Sequence, residues 1–210
     1  MASRKDQQMR LRLAQEAARI LIESGSRDFA LAKRKAAEHL SAHDTRQMPS
    51  NLEIEQAVAE YQRLFRSNSQ PHYLQQLRED ACEAMQFFSE FEPRLVGPVL
   101  TGTADINTAV SLHVFTDTPE EISLLLLEQK IPFETGEKRL RLREDSYQNF
   151  PMVRFLVRQN RIELIIFPVS KRIPTPLSPV DGRPVQRANL ETVEILLHDN
   201  SAAQSGLIGG

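Results

Sequence analysis

The amino-acid sequence predicts an α+β protein in which a helical N-terminal part precedes a mixed sheet flanked by helices. Three observations carry that expectation. Up to about Glu90, apolar residues recur at helical spacing. From Arg94 onward, short runs rich in β-branched and aromatic residues alternate with polar positions. Helix-capping signals and Gly, Pro and Asn turns separate those runs.

The 210 residues are 40% hydrophobic and 26% charged, with a formal net charge of −2. That length suits one domain with an attached helical part or two small domains, and it allows a sizeable core. The charge balance argues against wholesale attraction to nucleic acid. A single cysteine, Cys82, leaves no internal disulfide and points to a reducing, cytoplasmic setting. No stretch approaches the ~18 apolar residues of a membrane span, so no membrane partner is expected. The charged start, MASRKDQQMRLRL, lacks the apolar core of a signal peptide. No His/Cys cluster has the spacing of a metal site.

The first helix places Met9, Leu13, Ala17, Ile20 and Leu21 on one face and stops near Gly25. A second buries Phe29, Ala32, Ala36 and Leu40 and exposes Lys33, Arg34 and Lys35. Residues 1–43 hold nine Lys/Arg against five Asp/Glu, so this part is +4. Lys33, Arg34 and Lys35 are thus candidate nucleic-acid contacts, although no aromatic residues interleave with the charges and a solvated helix face explains them more simply. His43–Pro49 is a polar connection. Ser50 and Glu53 form a capping box before Ile54, Ala57, Val58, Tyr61, Leu64 and Phe65. Residues 67–70 break that helix, and Pro71 opens the next, which buries Leu74, Leu77, Ala81, Met85 and Phe88. Cys82 beside that stripe reads as a buried small residue rather than a nucleophile. Residues 1–69 are therefore the helical region, and 70–198 the α/β domain.

The α/β half opens with an apolar strand, Leu95–Leu100, a corner at Gly102-Thr103, and a second strand with Val110, Leu112 and Val114 on one face. A Gly-Thr corner can present backbone N–H groups to an anion, which makes Gly102 and Thr103 the leading binding candidates. His113, alone on its strand, reads as structural rather than as a catalytic base. Thr118, Pro119 and Glu121 form another helix start, and the wide apolar arc Ile122–Leu127 predicts a well-buried helix. A short strand near Phe133, a turn at Thr135-Gly136-Glu137, a half-buried strand with Leu140 and Leu142, and a polar loop 144–150 follow. Then comes a hairpin, Met152–Arg158 and Arg161–Phe167, about a Gln159-Asn160 turn that pairs Val157 with Ile162. One face is apolar. The other sets Glu163 among Arg154, Arg158 and Arg161, which reads as a cross-strand ion pair or as a carboxylate facing a cationic site. A proline-dense segment, 168–184, a closing helix over 189–197, and a tail of residues 199–210, read as flexible, complete the chain.

With these strands placed, Pro93 to Phe167 resembles the DNA polymerase beta-like nucleotidyltransferase superfamily. The residues that carry the likeness are Leu100 with Gly102-Thr103-Ala104, the strand Ala109-Val110-Ser111-Leu112, and Glu163 on Ile162-Glu163-Leu164-Ile165. In that family a Gly-Ser corner binds a triphosphate, an Asp-x-Asp pair starts the next strand, and a third carboxylate lies on a later one. The three carboxylates hold Mg²⁺ for nucleotidyl transfer. The resemblance therefore implies a mixed sheet of nucleotidyltransferase type, with Gly102, Thr103, Ser111, Arg154 and Arg158 near a nucleotide and Glu163 as metal ligand. Ala109 and Ser111 stand where the paired carboxylates belong, and a serine oxygen with one glutamate supplies too few anionic ligands to hold two Mg²⁺ ions. The leading expectation is accordingly a protein that binds a nucleotide, RNA or a protein partner without turnover. An active enzyme using Asp105 and Glu163 with Mg²⁺, and a nucleic-acid binder using the basic N-terminal helices, are the alternatives. The chain also resembles bacterial proteins that join a helical region like AQEAARILIESGSRDFALAKRKAAEHL to a nucleotidyltransferase-like half.

Overall fold

A computed structural model describes residues 4–24, 28–42, 48–65, 70–105, 107–171 and 173–205. Gly25, the connection over 43–47, the helix break at 67–69 and the last tail residues, 206–210, lie outside the described residues. The chain divides into two units: Met1–Gln70 with Asp105–Asn107 and Pro179–Gly182, and Pro71–Ala104 with Thr108–Ser178 and Arg183–Gly210.

The first unit is built from α1 (Arg4–Ser24), α2 (Phe29–His39) and α3 (Asn51–Phe65). Their apolar faces meet as the periodicity requires, with Leu13, Ala17, Leu21, Ala32, Ala36 and Ile54 at 4% exposure or less. Asp28 caps α2 by accepting the Leu31 N–H at 2.9 Å. The Ser50/Glu53 capping box forms reciprocally: Ser50 N–H donates to Glu53 Oε2 at 2.7 Å, and Glu53 N–H donates to Ser50 Oγ at 3.2 Å.

The second unit begins with α4 (Gln70–Phe87) and a 3-10 turn at Ser89–Phe91. Strand β1 (Arg94–Val96) leads into the four-residue α5 (Pro98–Thr101), and β2 (Val110–Phe115) into α6 (Glu120–Glu128). Strands β3 (Phe133–Arg143), β4 (Ser146–Val157) and β5 (Asn160–Phe167) follow, then the proline-dense segment and α7 (Leu190–Ser205). The sheet order is β1-β2-β5-β4-β3. Only β2 and β5 run parallel, so the sheet is mixed, as expected. One face is wholly apolar: Val110, Leu112, Val114, Val153, Phe155, Ile162, Leu164 and Ile166 pack on α4, α6 and α7.

Several local expectations change. The strand expected over Leu95–Leu100 ends at Val96, because Gly97 turns it with φ 75° and ψ −154°, a region only glycine enters, and Pro98 starts a helix. The Thr118/Glu121 box gives way to Thr116, whose hydroxyl donates to Glu121 Oε2 at 2.8 Å and accepts the Thr118 N–H at 3.1 Å. Leu124 and Leu127 of α6 are exposed, so only Ile122, Leu126 and part of Leu125 face the sheet. Gly136 is not a turn: it pairs with Met152 inside a continuous β3, where an added Cβ would meet Met152 Cε at 3.5 Å. The expected loop 144–150 is strand from Ser146; its first residues, Ser146 to Asn149, pair only with β3 and are exposed, so they read as polar. The hairpin turn is Arg158-Gln159, and Val157 pairs with Asn160 and Phe155 with Ile162, two residues from the expected register. A shift of two keeps every side chain on its expected face. The chain from Asp199, read as tail, is helical to Ser205.

Candidate functional site

The sheet face opposite the helices holds Ser111, His113 and Phe115 of β2, Glu163, Ile165 and Phe167 of β5, Arg154 of β4 and Lys138 of β3, by the two-residue alternation of strands. Ser111 lies directly across from Glu163 on the parallel pair, and Arg154 across from Glu163 on the antiparallel pair. Both oxygens of Glu163 are taken. Arg154 Nε donates to Oε1 at 2.9 Å and Lys138 Nζ to Oε2 at 3.3 Å. The carboxylate is largely enclosed, at 14% side-chain exposure, while its two cations stand at 44% and 42%. This is the cross-strand ion pair the sequence suggested, with a second cation added. Ala109 precedes β2 and contributes no oxygen, so the residues do not fit a divalent pair. A neutral methyl, a hydroxyl and a carboxylate already bound to two cations offer a divalent ion few free anionic oxygens. Among the described residues, no group of three His, Cys, Asp or Glu is gathered as a metal site.

The Gly102-Thr103 corner has a different role from an anion cradle. The Gly102 and Thr103 N–H groups both donate to Pro98 O, at 2.9 and 3.0 Å, closing the C-terminal end of α5. Gly102 is there for its left-handed φ of 85°. The carbonyls left over at this helix end are claimed by Arg78, which is 5% exposed: Nε donates to Val99 O at 3.1 Å, one terminal nitrogen to Leu100 O at 3.3 Å, and the other to Leu196 O at 3.4 Å. Burial holds its pKa below the usual arginine value. The glycine that makes the strand-to-helix turn is Gly97, not Gly102.

Asp105 belongs to the first unit and Glu163 to the second. Asp105 is 8% exposed and its Oδ1 accepts the Asn107 N–H at 3.0 Å, an Asx turn. Arg158 is drawn to the helix-covered side. It takes a positive φ of 53° in the hairpin turn and pairs with the buried Asp80 and with Glu83, both of α4, while Asn160 Nδ2 donates to Asp80 at 2.6 Å. It is therefore not one of the cations around Glu163, because the shifted turn takes it out of the strand.

His113 is 3% exposed, and its Nδ1 accepts from Arg187 Nε at 3.0 Å. An arginine can only donate, so the ring proton sits on Nε2. Burial first, and the Arg187 charge second, push the His113 pKa down to about 3. Arg187 spans the rings of Phe115 and Phe167, its guanidinium carbon 5.3 and 5.1 Å from their centroids. Arg187 escaped the sequence reading because its partners are distant in the chain. Lys138 had a readable signal, since it shares a strand face with Leu140 and Leu142 once β3 is extended back past Gly136.

In the first unit, Arg34 and Lys35 are exposed and Lys33 is partly buried. Much of the surrounding cationic charge is already neutralised. Arg10 pairs with Glu53 at 2.8 Å, and Arg19 with Glu16 and Glu23 at 2.7 and 2.6 Å. Cys82 is buried, and burial raises its thiol to about 11, which suits a packing role. Among the described residues no helix is long and apolar enough to cross a membrane. No family model, curated protein or solved structure matches the chain.

Proposed function

We propose that this chain is a nucleotidyltransferase-fold protein that binds a nucleoside triphosphate without turnover and without Mg²⁺. One observation carries the reading: Glu163, beside Ser111 on adjacent parallel strands, holds Arg154 and Lys138 where a metal-dependent enzyme needs anionic oxygens for its ions. Two cations on one carboxylate leave a surplus positive charge at the sheet face, suited to phosphate oxygens. The order short strand, glycine turn, short helix, strand supports the family likeness. Placing the family's corner at Gly97 rather than Gly102 lengthens the segment between the corner and β2.

Calorimetric titration with nucleoside triphosphates, in Mg²⁺ and in EDTA, tests the proposal. Binding of equal strength in both, with no pyrophosphate released, is the expected result. Binding that needs Mg²⁺ and is followed by pyrophosphate release overturns it and returns the active-enzyme reading. RNA or protein binding that a triphosphate does not displace removes the nucleotide from the reading.

A further inference from the structure

Arg187 is a charged group whose environment supplies no counter-ion. Its polar contacts are His113 Nδ1 at 3.0 Å and Thr175 Oγ1 at 3.5 Å, both uncharged, and its flat faces meet Phe115 and Phe167. Among the described residues, no carboxylate stands within ion-pair distance of it. A second cation is close instead: Arg94, which pairs with His113 across β1 and β2, adds its charge to burial in holding the Arg187 pKa below the usual value. Arg94 has one long ion pair of its own, at 3.5 Å to the exposed Glu92, and one terminal nitrogen donates to the Pro93 and Glu92 carbonyls at 3.1 and 3.3 Å.

Two arginines at one end of a sheet face repel each other, and a partly buried guanidinium without an anion forgoes its strongest class of hydrogen bond. The molecule nonetheless fixes Arg187 on four sides. His113 is buried as a pure acceptor toward it, so the imidazole orients the fork without neutralising it. Ala188 exchanges two main-chain hydrogen bonds with Leu95, at 2.8 and 2.9 Å, and so anchors the backbone beside Arg187 to β1. The Arg187 Nη2 makes no hydrogen bond among the described residues and is not sealed from solvent. A planar donor fork held in place, open on one edge and backed by a second arginine, matches a phosphate group bound through parallel N–H···O contacts.

We infer that Arg187, oriented by His113 and assisted by Arg94, is an anchoring site for a phosphate group. It deepens the proposed function by naming the part of the triphosphate that is gripped, and it rests on that reading only for the nucleoside. The test uses the full chain in EDTA, titrated by calorimetry with sodium tripolyphosphate and, separately, with a nucleoside triphosphate. Tripolyphosphate binding should weaken by about tenfold in Arg187→Gln and by a few-fold in Arg94→Gln, magnitudes in keeping with loss of one charge-assisted contact. Arg187→Lys, which keeps the charge and removes the planar fork, should recover only part of the loss. Arg94→Gln alters a partly exposed side chain whose own hydrogen bonds go to the neighbouring Glu92 and Pro93, so it guards against misfolding of the Arg187 variants, and thermal melts of all three report the fold. Undiminished tripolyphosphate affinity in both Gln variants overturns the site, even if nucleotide binding persists. Tripolyphosphate binding that needs Arg187 in a protein indifferent to nucleosides supports the site and removes the nucleotide reading. Failure of both ligands to bind wild-type protein overturns both.

Discussion

The two faces of the sheet are composed for different tasks. The face under α4, α6 and α7 carries only hydrocarbon, and its central residues Leu112, Ile162 and Leu164 are fully buried. The other face carries Glu163, Arg154, Lys138 and His113, with a small apolar cluster of Phe150, Ile165 and Phe167 beside them. The first face is where folding free energy is gathered, through area removed from water. The second holds charges that contribute little to stability, since Arg154 and Lys138 remain more than two-fifths exposed. Polar groups retained on a sheet face at so little gain in stability are the ones to examine for binding.

That contrast can be broken first on its apolar side. Leu164→Ala removes a fully buried side chain between the sheet and its helices, and should cost about 2–5 kcal/mol in a urea melt. A loss under about 1 kcal/mol would show that this face is not the main core. Acid should act next, on the other face. The folded pKa of His113, about 3, lies below its ordinary value of 6.5, so the unfolded chain takes up the proton first. Stability is therefore complete above pH 6.5 and declines as pH falls from there toward 3, with a slope of at most about 1.4 kcal/mol per pH unit. His113→Gln should flatten the limb between pH 6.5 and about 5.5, where Glu16 and Glu53 of the first unit, lowered from 4.5 to about 2 chiefly by Arg19 and Arg10, are still almost fully ionised in the unfolded chain as well. An unchanged slope in that variant would place the titrating group elsewhere. The smallest effect belongs to Glu163→Gln, which should shift stability by less than about 1 kcal/mol. It should also tighten triphosphate binding by freeing Arg154 and Lys138. Weaker binding would instead mark Glu163 as a ligand for a cation.

Much of this arrangement was legible in the sequence, and the misses at the arginines share a cause. Strand alternation is a local property, so the faces of β2, β4 and β5 could be read correctly even with the hairpin register two residues out. The Ser50/Glu53 box could be read because its bonds span three residues, whereas Thr118/Glu121 failed because Thr116 competes for the same carboxylate. What escaped depends on partners far apart in the chain. Arg158 tolerates its positive φ in the company of Asp80, seventy-eight positions earlier. Arg187 gains its meaning only beside His113, seventy-four positions away. The Gly102-Thr103 corner was misjudged for a different reason: Pro98 began a helix, and the N–H groups that looked available became its closing bonds.

The two edges of the sheet are unequal, and this bears on how copies of the chain behave toward one another. Strand β1 offers three residues, and Ala188 already pairs with its middle one. Strand β3 offers eleven, with the Leu177 N–H bound at Arg141 O. An edge that long invites a second copy to add its own strand. Six of its eleven residues are charged, Glu134, Glu137, Lys138, Arg139, Arg141 and Arg143, so edge-to-edge docking would strip water from a dense row of ions. Charge on this ribbon thus raises the cost of adding a second copy's strand at the β3 edge.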